Sequence, residues 1–493
     1  MEKYKHGVGT HRDSDAVPST LSAAYNVQLA IGTAPINQLK EPGKAVNVPL
    51  LVKSKSEAKE LLGSSNDYKN YTLMQVAYAS FVKMGVAPVI FINVLDPDNP
   101  RHVEAVAEQE LVLTKGSATI EDDGILIDEV VVSLDGTTAQ KDKDYVATFN
   151  SDFHVVISVT PDGALKDAVK VKVAYTKLNP NGVTAEDIIG GIDETGKRTG
   201  IELIDEVFTR LNGQFGGVLI APEYSSNPAV AAALEAKAEL AGGLTNAFAI
   251  VDLDTEQTRL PSQVADAKKK IGVESRWTVA VWPKVLMNGY CMAFSSAFGA
   301  LCQYMAVKNG GVPGESPDNN LLGIGGIVLE DGTEVHMLPD EVNDYINAFG
   351  VVSAVYINGW KAWGNNTTIY DNEAKTENMT KPNNRFIKNV MMCNYLENRF
   401  KLEALSRIGK NANTKLVDSV VTDFNKTISA LVPNYMAGGE IIFDKDKTTK
   451  EELMQGHLYF KTRYADWTPT EYIEHDFFWS ADILEEALLG GSE

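Results

Sequence analysis

The chain has 493 residues, of which 44% are hydrophobic and 23% charged. This is ordinary globular composition, and the length predicts about three domains. The formal net charge of -21 repels phosphate backbones and anionic lipid. It therefore argues against nucleic acid and membrane surfaces as binding partners. Cys291, Cys302 and Cys393 form no C-x-x-C pair, which predicts folding in a reducing cytoplasm without a disulfide framework.

The first 24 residues are polar and have no apolar core. They predict an extended N-terminal arm that is either disordered or ordered by a neighbouring chain, and they do not resemble a signal peptide. Residues 25–102 then alternate strand and helix, with a buried strand expected over 88–95, which indicates the first part of an α/β domain. A short helix is predicted over 56–62 with Ser56 as its N-cap.

Residues 103–180 change to an almost wholly β pattern. The segment 169–175 alternates apolar and polar residues, as a half-buried strand does, and glycine-containing turns separate further candidates. This pattern predicts an inserted β-sandwich-like domain. Strands and helices alternate again over 181–350, so the α/β domain is expected to be split by the insertion.

The uncharged segment 285–307 contains too many polar and small residues for a membrane span and predicts a buried, closely packed helix. Residues 351–468 are interpreted as a C-terminal α+β domain with a long helix over 385–407, and residues 469–493 as a C-terminal arm. The predicted fold class is therefore multidomain, α/β and α+β, with a split α/β domain, an inserted β domain and extended terminal arms.

A phosphate-binding pattern is nearly matched at Gly191–Thr199. The spacing G-x-x-x-x-G-K fits through Lys197, but Arg198 occupies the position of the Mg²⁺-binding hydroxyl. Asp193 and Glu194 within the loop would also repel phosphate. A structural turn is the favoured interpretation, and an NTP-binding enzyme is the alternative.

Other catalytic patterns are missing from the sequence. There is no H-E-x-x-H, no close His/Cys cluster and no G-x-S-x-G. The sequence therefore predicts no catalytic residue, no metal and no cofactor. A secreted adhesive protein with a β domain is a third hypothesis, which the apparent lack of a signal peptide disfavours.

Basic residues concentrate in and after the predicted long helix of this acidic chain. Such a group is either a solvated helix face or a docking face for an acidic protein partner. The candidates are Arg385, Lys388, Arg399, Lys401, Arg407 and Lys410.

Several segments in a fixed order carry a family resemblance. They are Gly32–Pro35, Pro88–Pro97 running into Arg101-His102, Ile188–Gly200, Lys308–Asn319, Asn358–Thr367 and Pro469–Ile473. Together they resemble the contractile tail sheath proteins of myophages, R-type bacteriocins and related phage-like elements. The near-miss at 191–199 is then explained as a loop of that family.

The resemblance implies a structural subunit that polymerises with itself, as hexameric rings or a helical stack, around an inner tail tube. Contraction would drive the tube through a cell envelope, with baseplate and tail-terminator proteins as further partners. It also implies assembly in the bacterial cytoplasm, followed by a place in a virion tail or a released particle. The basic helix would face the tube.

The same resemblance assigns the terminal arms to strand addition between subunits, in which main-chain hydrogen bonds link the chains. The C-terminal domain would then be the assembly domain. The candidate inter-subunit strand residues are Tyr4, Val8, Val17, Glu471, Tyr472, Ile473, Phe477 and Phe478.

Overall fold

The computed structural model describes residues 26–374 and 376–490. The strands of these residues are, in chain order, β1 (Gln28–Gly32), β2 (Pro49–Val52), β3 (Val89–Asn93), β4 (Val103–Val112), β5 (Ser117–Ile120), β6 (Val131–Leu134), β7 (Thr137–Thr138), β8 (Tyr145–Phe149), β9 (Val155–Val159), β10 (Lys170–Leu178), β11 (Val218–Ile220), β12 (Phe248–Asp252), β13 (Thr278–Val281), β14 (Lys284–Met287), β15 (Tyr290–Met292), β16 (Gly326–Val328), β17 (Val351–Tyr356), β18 (Trp360–Trp363), β19 (Met436–Phe443) and β20 (Phe460–Asp466).

The α-helices of the same residues are α1 (Lys55–Leu62), α2 (Thr72–Ala77), α3 (Ala185–Ile189), α4 (Ile204–Arg210), α5 (Pro228–Glu239), α6 (Val264–Ile271), α7 (Phe294–Lys308), α8 (Pro339–Tyr345), α9 (Pro382–Arg385), α10 (Ile387–Leu405), α11 (Thr414–Leu431), α12 (Lys450–Met454) and α13 (Ala481–Leu489). A π-helical segment, Tyr78–Met84, continues α2. The expected multidomain mixture of α and β structure is present.

An eight-stranded sheet forms the centre of the α/β part, in the order β18-β17-β13-β12-β11-β1-β3-β2. The six inner strands from β17 to β3 pair in parallel, while β2 and β18 close the two edges antiparallel. Strands β1, β3, β11, β12 and β13 are buried along their whole length, as parallel strands covered on both faces are. The sheet therefore unites chain segments from before and after the β insertion.

Two sequence expectations about this region are corrected. Strands β17 and β18 belong to the central sheet, because β17 pairs in parallel with β13, so the predicted domain boundary after residue 350 falls inside that sheet. The N-cap of α1 is Ser54 and not Ser56, since the Ser54 hydroxyl accepts a hydrogen bond from the Glu57 amide at 3.1 Å.

The prediction of a single helix over 285–307 is also wrong, because the first part of this segment is a hairpin and only the second part is helical. Strands β14 and β15 pair antiparallel across Asn288 and Gly289, which have φ values of 53° and 83°. An Asn-Gly pair with two positive φ angles is a strong hairpin signal. The helix α7 that follows is largely buried, as expected. Across residues 26–374 and 376–490, no helix combines the length and apolarity needed to cross a bilayer.

The β insertion consists of two small antiparallel sheets, β4-β10-β6-β7 and β5-β9-β8. Their inward side chains form a separate apolar cluster that includes Val132, Tyr145, Ile157 and Val173. The Tyr145 hydroxyl donates to the Val130 carbonyl at 2.9 Å, so this buried polar group is satisfied.

A third apolar cluster joins α10 and α11 to the hairpin β19–β20. Phe400 and Phe424 meet edge to face with ring centroids 5.2 Å apart, a favoured aromatic geometry. This C-terminal lobe is followed by residues 467–480, which have no regular secondary structure.

One buried carboxyl group connects the central sheet to α7. Asp252, the last residue of β12, accepts from the Ser295 amide at 2.9 Å, the Ser295 hydroxyl at 2.6 Å and the Ser225 hydroxyl at 2.9 Å. It therefore supplies the acceptor that the first turn of α7 needs, in place of a local N-cap. Burial raises the pKa of Asp252, although these hydrogen bonds oppose the shift.

We expect Asp252→Ala to lower the free energy of unfolding by about 3 kcal/mol, because three buried donors lose their acceptor. Asp254→Ala is the matched control, since Asp254 caps an exposed turn and water replaces its carboxylate; its expected cost is below about 1 kcal/mol. Urea unfolding followed by circular dichroism measures both. Equal losses in the two variants would contradict the role assigned to Asp252.

Candidate assembly surfaces

The hairpin β19–β20 is a two-stranded sheet with no third strand among the described residues. Its two outer edges differ. The Asn425 side chain of α11 accepts from the Ile441 amide at 2.9 Å and donates to the Ile441 carbonyl at 3.1 Å. These backbone groups thus point away from β20, and α11 occupies part of the β19 edge. The outer edge of β20 is the more open one.

The segment that follows β20 exposes aromatic and aliphatic side chains. Tyr472, Ile473, Phe477, Phe478 and Trp479 are between 77% and 89% exposed. The strand predicted over 471–478 is absent from the single chain, where these residues pair with no other strand. So many large apolar side chains in one exposed segment indicate a surface that a partner covers. The other candidate strand residues, Tyr4, Val8 and Val17, lie outside the described residues.

Contacts from Lys388, Pro433 and Arg385 fix the start of this segment. In the structure we use the name C-terminal arm for the described residues 467–490, which include most of the arm predicted over 469–493. The Lys388 ammonium group lies 3.0 Å from the Asp466 carboxylate and also donates to the Trp467 carbonyl. The Trp467 indole donates to the Pro433 carbonyl at 2.7 Å. Arg385 pairs with Glu471 and stacks its guanidinium group over Tyr370.

Lys388 is thus withdrawn from the surface, with 2% of its area exposed, which corrects its expected position on a basic docking face. Burial lowers the pKa of Lys388, and Asp466 opposes this shift. Its ammonium group binds Asp466 and the Trp467 carbonyl, where the C-terminal arm begins. Arg385 also faces the arm through Glu471.

Two of the four remaining basic candidates are paired with carboxylates of the same chain. Arg399 pairs with Glu403 at 2.8 Å and Arg407 with Asp423 at 2.7 Å. Lys401 donates to the Asn246 side chain, and burial lowers its pKa. Lys410 is exposed and forms no ion pair with any described residue.

The loop at 191–199 does not have the geometry of a phosphate site. Helix α3, not a strand, precedes it, and Ile192 bridges to Arg198 so that the loop closes on itself. The Asp193 carboxylate accepts from the amides of Thr195 at 2.8 Å and Lys197 at 3.0 Å. These are amides that a phosphate would require, so the arrangement does not support the nucleotide-binding alternative.

The described residues contain no group of three or more His, Cys, Asp and Glu side chains arranged to hold a metal ion. Cys302 and Cys393 are buried free thiols and Cys291 is a half-buried one. Burial raises the pKa of Cys291 and Cys393 to about 11, so neither is an activated nucleophile. The exposed C-terminal arm and the open edge of the β19–β20 hairpin are therefore the candidate functional surfaces.

We expect Lys388→Ala to cost about 3–5 kcal/mol, because it leaves the Asp466 carboxylate buried and unpaired. The double variant Lys388→Met/Asp466→Asn removes both charges and is expected to recover most of that loss. Lys410→Ala, which removes an exposed lysine, is the control and should change stability by less than about 0.5 kcal/mol. A double variant as unstable as Lys388→Ala in urea unfolding would contradict the assigned pairing.

Two curated proteins are similar in sequence. The tail sheath protein of Burkholderia phage BcepMu is 25% identical over 500 residues, covering 99% of this chain and 98% of the relative. A prophage major tail sheath protein of Pseudomonas aeruginosa strain UCBPP-PA14 is 23% identical over 363 residues, covering 70% of this chain and 86% of the relative. No protein-family model matches the chain.

Solved structures share the fold. A chain of the anti-feeding prophage baseplate aligns with a TM-score of 0.57 at 13% identity, covering 97% of this chain and 100% of that one. A chain of the contracted sheath complex of the extracellular contractile injection system PVC aligns with a TM-score of 0.54 at 12% identity, covering 98% and 99%. The similarity along nearly the whole chain confirms the resemblance seen in the sequence: this chain is similar to tail sheath proteins in sequence, and it shares its fold with chains of contractile assemblies.

Proposed function

We propose that this chain is the sheath subunit of a contractile tail, which polymerises around an inner tube and contracts to drive that tube through a target cell envelope. The observation that carries the proposal is the exposed apolar arm, which follows a hairpin with an open strand edge in a chain that is similar along 99% of its length to a tail sheath protein. A single copy leaves both features uncovered. Polymerisation covers them.

Strand addition supplies the linkage between subunits. The arm of one copy, with residues 471–478 extended, adds to the β20 edge of a neighbour, where free backbone groups accept a further strand. The β19 edge accepts a strand only where Asn425 does not already bond to Ile441. The N-terminal residues 1–24, with Tyr4, Val8 and Val17, are proposed to form the second arm.

Contraction needs no nucleotide in this proposal. If the contracted lattice buries a few hundred Å² more apolar surface per subunit, the gain is several kcal/mol at about 25 cal/mol per Å². The gain repeats at every subunit, so a metastable extended sheath stores enough free energy for penetration. The contacts at the arm root, Lys388 with Asp466 and Arg385 with Glu471, keep each arm attached while the rest of the subunit rotates.

In this proposal the chain has no enzymatic role. It binds further copies of itself in hexameric rings or a helical stack. Its other partners are the tube protein, the baseplate and a tail terminator. Assembly occurs in the bacterial cytoplasm before the tail joins a virion or a released particle. The insertion at 103–180 faces outward, where its separate core tolerates variation. One face of the α10 region, with Arg399, Lys401, Arg407 and Lys410, meets the tube.

Removal of residues 469–493 should abolish cylinder formation and leave a folded monomer, because Tyr472 to Trp479 and α13 contribute little to the core of their own chain. Negative-stain electron microscopy of the full chain and the truncated chain measures this. We expect hollow, striated cylinders from the full chain, with or without the tube protein, and dispersed particles after truncation. Removal of residues 1–20 is expected to have the same effect. Cylinders built by both truncated chains would exclude strand exchange, and their absence from the full chain with tube protein would exclude the sheath function.

Charge reversal at Lys410 together with Arg399 should weaken docking to the tube and spare contacts between sheath subunits. Lys410 is exposed and forms no ion pair with any described residue, and Arg399 is partly exposed. Lys166→Glu is a single-charge control of the same sign, since this exposed lysine lies in the β insertion. Co-sedimentation of sheath with tube at low and high salt measures the effect, because salt screens such contacts. Tube binding that is unchanged in the reversed variant would exclude a tube-facing role.

A further inference from the structure

Helix α13, at the end of the C-terminal arm, is amphipathic and leaves its apolar face uncovered. Ile483, Leu484 and Leu488 are between 51% and 73% exposed, and with Ala487 they follow the spacing of a single helical stripe. Asp482, Glu485 and Glu486 occupy the opposite side. Every residue of α13 is exposed in the single chain, so the apolar side chains of this helix are not packed against their own subunit.

A matching groove of about 710 Å³ lies in the C-terminal lobe, between the first half of α11 and the far end of the hairpin. Val417, Val421, Phe443 and Leu458 form its half-buried apolar lining. Ile442 and Leu453 stand at its rim and are 43% and 49% exposed. A helix whose apolar stripe enters such a groove uses a common recognition mode.

The charges at this groove complement those of α13. Lys445 lines the groove and Lys415 follows Thr414 of its wall, and neither lysine forms an ion pair with any described residue. Asp418 is the acidic residue of the lining. The polar side of α13 carries three carboxylates and no basic residue, so the two lysines are suited to its flanks.

The arm of the single chain does not return to this groove, because every residue of α13 is exposed and none of them lines the groove. The groove lies where Phe443 pairs with Phe460, whereas the arm leaves the opposite end of the hairpin, where Met436 pairs with Asp466. Eight residues of β19 place these two ends roughly 23 Å apart. Glu471, held by Arg385, fixes the first part of the arm at that far end.

We propose that α13 of one subunit docks into the α11–hairpin groove of a second copy of this chain and locks the arm after its strand has been added. The inference rests on the proposed sheath function and adds a second contact beyond strand pairing. Ile483, Leu484 and Leu488 are the anchors, and Lys415 and Lys445 set the orientation by facing Glu485 and Glu486.

Cysteine cross-linking between two full-length chains tests the docking. One chain carries Ile442→Cys and the other Leu488→Cys, and oxidation of the mixture should give linked dimers that neither chain gives alone. Val169→Cys, an exposed site of the β insertion, replaces Ile442→Cys in the control mixture and should give none. An internal link in a monomer carrying both cysteines, or no dimer in the first mixture, would overturn the proposal.

A second measurement separates this inference from the sheath function. Leu484→Asp/Leu488→Asp should raise the concentration needed for cylinder assembly by about tenfold or more, because two buried leucines are lost from the contact. Asp482→Asn, on the polar side of the same helix, should leave it unchanged. Cylinders that form at the same concentration in both variants refute the docking and leave the sheath function standing. If the unmodified chain builds no cylinders, the sheath function fails, while cross-linked dimers still report on the docking.

Discussion

The pairing of β1 with β11 is the constraint on which the rest of the architecture depends. Strand β1 lies between β3, which precedes the β insertion, and β11, which follows it. Since these strands are buried on both faces, neither part of the chain completes the sheet alone. The insertion must therefore leave and return near one position, and its separate core lets it do so without disturbing the sheet.

The interior and the C-terminal end of the molecule obey opposite rules. Inside, the buried carboxylate of Asp252 is paired with Ser225 and Ser295. At the end of the chain, aromatic and aliphatic side chains remain in solvent, a state that is unfavourable for an isolated protein. This contrast is what the proposed polymerisation requires, since neighbouring copies would then complete the missing contacts.

Several ion pairs in the C-terminal lobe connect distant segments of the same chain. Lys388 and Arg385 fix the root of the arm through Asp466 and Glu471, and Arg407 holds α11 through Asp423. Other cations of this region form no ion pair with any described residue, among them Lys401, Lys410, Lys415 and Lys445.

Local signals in the sequence predicted the buried strand that became β3 and the β character of residues 103–180. Apolar runs and period-two alternation report burial directly, and the order of motifs from Gly32 to Ile473 was enough to indicate the sheath family. The hairpin at Asn288-Gly289 was missed although its turn signal was present, because the uncharged run masked it.

Only the tertiary structure decided which strands share a sheet and which charges are free. Trp360 and Trp363 belong to the central sheet because β17 pairs with β13, a partner about seventy residues away that no local pattern specifies. Lys388 and Lys410 are the same residue type in the sequence, yet one is buried against Asp466 and the other is exposed. A lysine is assigned to docking or to structure by what surrounds it, and those surroundings come from distant parts of the chain.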